Sequence, residues 1–311
     1  MPSLASLRAF ELTARSGSFA SLLEHGDMAD TIARHFPFAS RHVAALIHHD
    51  VASPDDFFTD DGLDHRMVLS QIVSSELDVD RLDYLVRDSY YSGARYGQID
   101  VSWLLSNMDT HVVDDRVGLA LDERAIYAFD DFMIARHHMF LMVYFHHKSV
   151  VYEEMLKRWV TGPDTHWELP ADLEAYARWD DVSLLQLLRD DPDPWAQRIV
   201  HQRPFKRVLE RHGTPDEVDL SDAAALLEEA GIAYLSAGST GKLSRYNIFG
   251  QKRQRAPLIH VLERLPGSPI QCVKTLGEAT AIFARYADAR RLGRLYTSEA
   301  DRERARALLG V

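Results

Sequence analysis

From about Asp122 to Val160 the chain carries one continuous helical pattern, and no other stretch limits the fold as much. Tyr127, Phe129, Phe132, Met133, Met139, Phe140 and Met142 make it apolar on several sides. A helix of that kind must be surrounded by other elements rather than lie on a surface. The pattern is also longer than an ordinary globular helix, so a break within it is expected.

The surroundings up to residue 200 read as mostly helical. Arg41 to His49 places Val43, Ala44, Leu46 and Ile47 at helical spacing, and Arg66 to Tyr91 carries a longer periodic pattern. Between them, Ser53-Pro54-Asp55-Asp56 and Asp60-Asp61-Gly62 mark loop. The run from His111 to Leu121, turned by Asp114-Asp115-Arg116, predicts a small β-hairpin. Asp190-Asp191-Pro192-Asp193-Pro194 precedes a further helix expected to end near Arg211. Beyond it the pattern changes. Ile232–Leu235, Leu258–Leu262, Ile270–Val273 and Leu295–Thr297 are strand candidates, alternating with helices at Ala223–Ala230, Leu276–Tyr286 and Glu299–Leu309. The expected architecture is mainly α: a helical bundle with a small β-hairpin over residues 1–200, followed by a smaller α+β domain over residues 201–311.

Composition narrows the classes. A chain of 311 residues, 46% hydrophobic and 26% charged, is neither disordered nor fibrous and has room for two domains. No stretch approaches the roughly 18 consecutive apolar residues of a membrane span, and Met1 to Phe19 does not read as a secretory leader. A cytoplasmic protein with no membrane partner is the expectation. The lone Cys272 can form neither an internal disulfide nor a thiolate zinc site, so any metal must be held by His, Asp or Glu. The net charge of −12 divides into −17 over residues 1–200 and +5 over residues 201–311. An acidic body argues against a general nucleic-acid surface. The one basic stretch, Lys242, Arg245, Lys252, Arg253 and Arg255, lies in a window free of acids from Gly231 to Leu262. It reads either as a solvated loop and edge strand or as an anion or nucleic-acid contact.

The richest run is Ser75 to Gly93. Positions 80, 84 and 88 advance by only about 40° at each step of a helix, so Asp80, Tyr84 and Asp88 share one stripe. Leu82, Leu85 and Val86 fall on other faces and are expected to anchor the helix, with Arg81 and Arg87 close by. Two carboxylates and a phenol in a row can hold a metal ion and hydroxyl groups. They can equally be a charged helix face stabilised by acid–arginine pairs.

The run Glu76-Leu-Asp-Val-Asp80-Arg-Leu-Asp-Tyr84-Leu-Val-Arg-Asp88-Ser-Tyr-Tyr-Ser-Gly93 resembles the last metal-ligand helix of HD-domain phosphohydrolases, in the branch of deoxynucleoside triphosphate triphosphohydrolases. A second likeness follows in Arg136-His-His-Met-Phe140-Leu-Met-Val-Tyr144-Phe-His146-His147, and a weaker one in Arg203-Pro-Phe-Lys206. Together they cover nearly the whole chain from about Glu11. The resemblance implies an HD-domain-like bundle, a divalent metal ion and a nucleotide substrate. By the same resemblance Asp80 closes the metal site, Arg81 contacts phosphate, Tyr84 lies against the sugar and Asp88 accepts from a sugar hydroxyl. Arg136 is then the phosphate arginine, Tyr144 the base-stacking tyrosine and His146 a further substrate-binding residue. Guanidinium forks, carboxylate acceptors and aromatic faces suit those tasks. A homo-oligomer is likewise implied by the family rather than by any pattern in the residues.

One part of the family pattern is not evident. Its metal is bound by a histidine, an adjacent His-Asp pair and the final aspartate. The only adjacent pair here is His49-Asp50, merely 30 residues before Asp80. Two readings stay open. In one, Phe10 to Arg15 matches a segment that follows the His-Asp helix, the N-terminal His/His-Asp part is lacking, and Phe10 replaces a histidine that can assist catalysis. In the other, His25 or His35 joins His49, Asp50 and Asp80 in a rearranged site. Phosphate-ester hydrolysis needs an activated water and a stabilised leaving group, both of which a divalent metal supplies. The expected function is therefore a metal-dependent nucleotide phosphohydrolase with an incomplete metal site, and catalytic competence is left undecided. The alternative is a non-catalytic nucleotide-binding or assembly module.

Overall fold

A computed structural model describes residues 27–47, 51–52, 56–163, 167, 179–241, 259–264, 270–286 and 289–311. Helices α1 (Asp27–His35) and α2 (Ser40–Ile47) come first. The acidic turn Asp61-Gly62 joins two very short strands, β1 (Thr59–Asp60) and β2 (Leu63–Asp64). The periodic stretch that follows is two helices rather than one, α3 (Arg66–Val73) and α4 (Val79–Ser92). They are separate because the Asp78 carboxylate accepts from the Arg81 backbone N–H at 2.8 Å and so caps a new helix. Gly93 closes α4 with φ +72°, the left-handed conformation that a helix end favours.

After helix α5 (Val101–Ser106) comes the expected hairpin, β3 (Met108–Val113) and β4 (Arg116–Asp122), turned by Asp114 and Asp115 at positive φ. The long apolar pattern becomes α6 (Ile126–Met139), a π-helical segment Phe140–Tyr144, and α7 (His147–Val160). The break thus falls at a π turn, a feature frequent at functional sites. Helices α8 (Asp181–Asp190) and α9 (Pro194–Val200) precede β5 (Lys206–Gly213), a strand where the sequence suggests the end of a helix. A short periodic run does not separate helix from strand; pairing with a distant strand settles it. The remaining elements are α10 (Ser221–Glu229), β6 (Tyr234–Gly241), β7 (His260–Arg264), β8 (Ile270–Thr275), α11 (Leu276–Ala279), α12 (Ile282–Arg285), β9 (Arg290–Thr297) and α13 (Arg302–Leu309). The architecture is helical with small sheets, a mixed α+β fold. No described helix is long and apolar enough to cross a membrane.

The described residues form two compact units that interleave along the chain. One unit holds the described residues up to Met139 together with those of 242–287. Its sheet runs β1-β2-β4-β7-β8, with β3 on the other edge of β4. Strand β4 pairs with β3 antiparallel and with β7 parallel. Leu77, Leu85, Leu104, Leu121, Phe129, Phe132, Met133 and Met139 are buried almost completely in this unit.

The other unit holds the described residues of 140–241 and 288–311. Its sheet has the order β5-β9-β6, antiparallel throughout. Successive residues of a strand point to opposite faces, and β9 uses both. Tyr296 joins a core with Val151, Met155, Trp159 and Leu188, whereas Leu295 joins one with Val208, Leu227, Ile232 and Ala305.

Candidate functional site

Helix α4 begins in a compact polar turn. The Arg81 guanidinium is held by the Glu76 carboxylate at 3.0 Å, by Asp78 at 3.5 Å and by the Ser75 carbonyl. All of these residues are buried. Burial pushes the Asp78 carboxyl above its ordinary pKa, against the lowering effect of its hydrogen bond with the Arg81 backbone and of the Arg81 charge. Arg81 thereby locks the turn that presents Asp80.

Along α4, Asp80 is exposed while Tyr84 and Asp88 are half-buried. Leu82 and Leu85 anchor the helix as expected, but Val86 is exposed. Arg87 is turned away into a two-point pair with Asp83, at 2.9 and 2.8 Å, on the surface. That pair holds the Asp83 carboxyl below its usual range.

Helix α6 touches α4 here. Arg136 is buried, and its Nε donates to the Tyr84 hydroxyl at 3.4 Å. The short 3-10 turn Arg95–Gly97 packs against α4 at a point where no side chain fits. A Cβ at Gly97 would lie 2.2 Å from the Leu85 carbonyl oxygen. Five predicted residues, Asp80, Arg81, Tyr84, Asp88 and Arg136, thus belong to one unit, with Tyr84 and Arg136 in direct contact.

The other two predicted residues, Tyr144 and His146, belong to the second unit. Tyr144 ends the π segment, its ring 4.9 Å from that of Phe140 at 71°. His146 is exposed; it caps α7, with Nδ1 facing the Lys148 N–H at 3.4 Å, and its ring stacks on His147 at 4.4 Å. Burial first, then the neighbouring His146, Arg207 and Arg294 charges, lower the His147 pKa.

The low-acid stretch at 242–255, His25, His49 and Asp50 lie outside the described residues, whereas His35 is exposed at the end of α1. Among the described residues no group of three or more His, Cys, Asp or Glu could hold a metal ion. Asp80 stands in the first turn of α4 as one of the expected ligands. Two residues of this site were not assigned from the sequence: Glu76, buried beside Arg81, and Gly97. The pattern Glu76-x-Asp78-x-x-Arg81 carries a signal for the first, since an N-cap aspartate precedes the arginine by three. Nothing local to residue 97 betrays its close approach to α4.

Comparison with known proteins gives this geometry a context. Residues 99–228 match the family model of the HD associated region. An uncharacterized protein of Methanocaldococcus jannaschii is 31% identical over 147 residues, covering 47% of this chain and 32% of that protein. An uncharacterized protein of Bacillus subtilis is 29% identical over 227 residues, covering 64% of this chain and 51% of that one. The chain thus spans from about a third to about half of the length of these curated relatives. Among solved structures, a hypothetical protein from Aquifex aeolicus has a TM-score of 0.71 at 20% identity, over 97% of this chain and 74% of that one. A phosphohydrolase from Bacteroides thetaiotaomicron has a TM-score of 0.54 at 19% identity, over 92% of this chain and 80% of that one. The two structures share the fold. The chain thus shares a matched region with the HD associated region and a fold with these two structures.

Proposed function

We propose that the chain binds a nucleotide, a (deoxy)nucleoside triphosphate, along the Asp80–Tyr84–Asp88 stripe of α4, as the substrate-holding part of an HD-type phosphohydrolase of the deoxynucleoside triphosphate triphosphohydrolase kind. The contact between Tyr84 and Arg136 carries the reading. It brings a phenol and a buried guanidinium from two sequence-distant helices to one place, beside two carboxylates. In this reading Arg136 meets phosphate, Tyr84 and Asp88 meet the sugar, and Asp80 is the protein's contribution to a divalent metal. Tyr144 and His146 belong to the other unit and are carried only as the base-stacking and substrate-binding residues that the resemblance implies. Arg81 acts as a positioning residue, because two carboxylates already hold it. When bound, the metal supplies an activated water and charge neutralisation at phosphorus; the residues named here bind and orient the substrate.

The test is titration calorimetry with a panel of nucleoside and deoxynucleoside triphosphates, followed by product analysis with added manganese or magnesium. Binding that is lost in Arg136→Ala, with tripolyphosphate release that is lost in Asp80→Ala, supports the enzyme. Nucleotide binding unaffected by either substitution refutes the site.

A second reading is a non-catalytic nucleotide-binding or assembly module. The engagement of Arg81 by Glu76 and Asp78 favours it, since one expected phosphate ligand is thereby turned to structure. Nucleotide binding without product, at any metal concentration, would select it. Sedimentation with and without nucleotide would show whether the implied homo-oligomer forms.

A further inference from the structure

His111 lies on β3 and His260 on β7, the two strands that flank β4. Strands two apart in a sheet are separated by about 9.6 Å. The two imidazole centroids are nevertheless only 5.4 Å apart, their planes at 63°. The rings lean toward each other across the strand between them. Register shows how this is done: His111 stands opposite Gly118, and His260 opposite Ala120. Strand β4 therefore offers a hydrogen and a methyl group beneath the rings. Met67 of α3 reaches the same floor, where a Cβ on Gly118 would fall 2.5 Å from its methyl carbon.

The Nδ1 atom of His260 is buried and has no hydrogen-bond partner among the described residues. A buried polar atom left unpaired calls for a ligand, a water or an ion. Burial, then the adjacent His111, hold the His260 pKa below the ordinary histidine value, against the opposing charge of Glu278. With metal–nitrogen bonds of about 2.0–2.1 Å and a tetrahedral angle, two coordinated imidazoles have centroids about 5 Å apart. The observed spacing matches.

We propose that His111 and His260 form a binding site for a late first-row transition metal ion, Zn2+, Ni2+ or Cu2+, with water completing the coordination shell. Imidazole nitrogen suits these ions. Bound there, the ion ties β7 to β3 across β4. The site is independent of the nucleotide reading, since it shares no residue with the α4 stripe.

The experiment compares the full chain with His111→Ala, His260→Asn and the double variant. Metal is titrated in competition with a chromophoric chelator, and Cu2+-loaded samples are read by electron paramagnetic resonance. The wild-type chain should show coupling to two nitrogens, each single variant should bind about 10–100-fold more weakly, and the double variant should hold one ion fewer. Metal should raise the wild-type Tm and leave that of the double variant unchanged. His111 is half-buried at the sheet surface, so its variant keeps the fold even if His260→Asn does not. An unaltered affinity, stoichiometry and nitrogen pattern in His111→Ala overturns the proposal.

Discussion

Arg136 donates through Nε to the hydroxyl of Tyr84 at 3.4 Å, joining two helices whose contacting residues are 52 positions apart. The guanidinium is buried and the phenol only half so, which leaves the tyrosine at the lip of the pair and the arginine behind it. A ligand phosphate that reached the arginine would therefore meet the tyrosine hydroxyl on the way. Tyr84→Phe removes one hydrogen bond and should weaken triphosphate binding about 5–10-fold, whereas Arg136→Ala removes a charge-assisted contact and should cost about 10–100-fold. Calorimetry on both variants, after circular dichroism confirms their folding, checks the order.

Arg81→Ala leaves Glu76 and Asp78 buried without their cation. Breaking a buried ion pair from one side costs about 3–5 kcal/mol. Urea denaturation should show a loss of that size, and nucleotide affinity at saturating folded protein should change far less than in Arg136→Ala. A larger effect on affinity than on stability would return Arg81 to the phosphate.

Gly97→Ala places a methyl group against the Leu85 carbonyl and the Ser89 side chain. The backbone oxygen cannot swing aside, so the 3-10 turn must move off α4, at a cost of about 1–3 kcal/mol. Thermal unfolding measures it. Exposed Tyr91→Ala should stay within about 0.5 kcal/mol of wild type.

The second unit carries a pH signature. Burial pushes the Glu210 carboxyl up, but hydrogen bonds from His212, Arg294 and Arg207 outweigh it and bring its pKa down to about 2, against an ordinary 4.5. A carboxyl whose folded pKa is depressed adds stability that is complete above 4.5 and disappears as the pH falls toward 2. Denaturation midpoints between pH 6 and pH 2 should fall across that window in the wild type, and fall less in Glu210→Gln.

Much of this was readable beforehand, for physical reasons that differ from element to element. Asp80, Tyr84 and Asp88 sit on one stripe because a helix repeats every 3.6 residues, and the hairpin at Asp114-Asp115 declares itself by two strand runs around two turn residues. Strand β5 was not readable, since Lys206–Gly213 becomes a strand only by pairing with β9, some 80 residues later. The same holds for the interleaved units, which depend on Ala120 meeting His260. Arg81 shows a third limit: its contacts with Glu76 and Ser75 are visible only in three dimensions.

Strand β9 is the middle of its sheet, although it is the last of the three to be synthesised. While the ribosome is still adding residues 242–289, β5 and β6 have no ladder between them and two half-built cores stand open. That unit must therefore close late and all at once, when Arg290–Thr297 slides in as a wedge. During that interval its exposed strand edges are where a crowded cell would find it most prone to stick to its own copies.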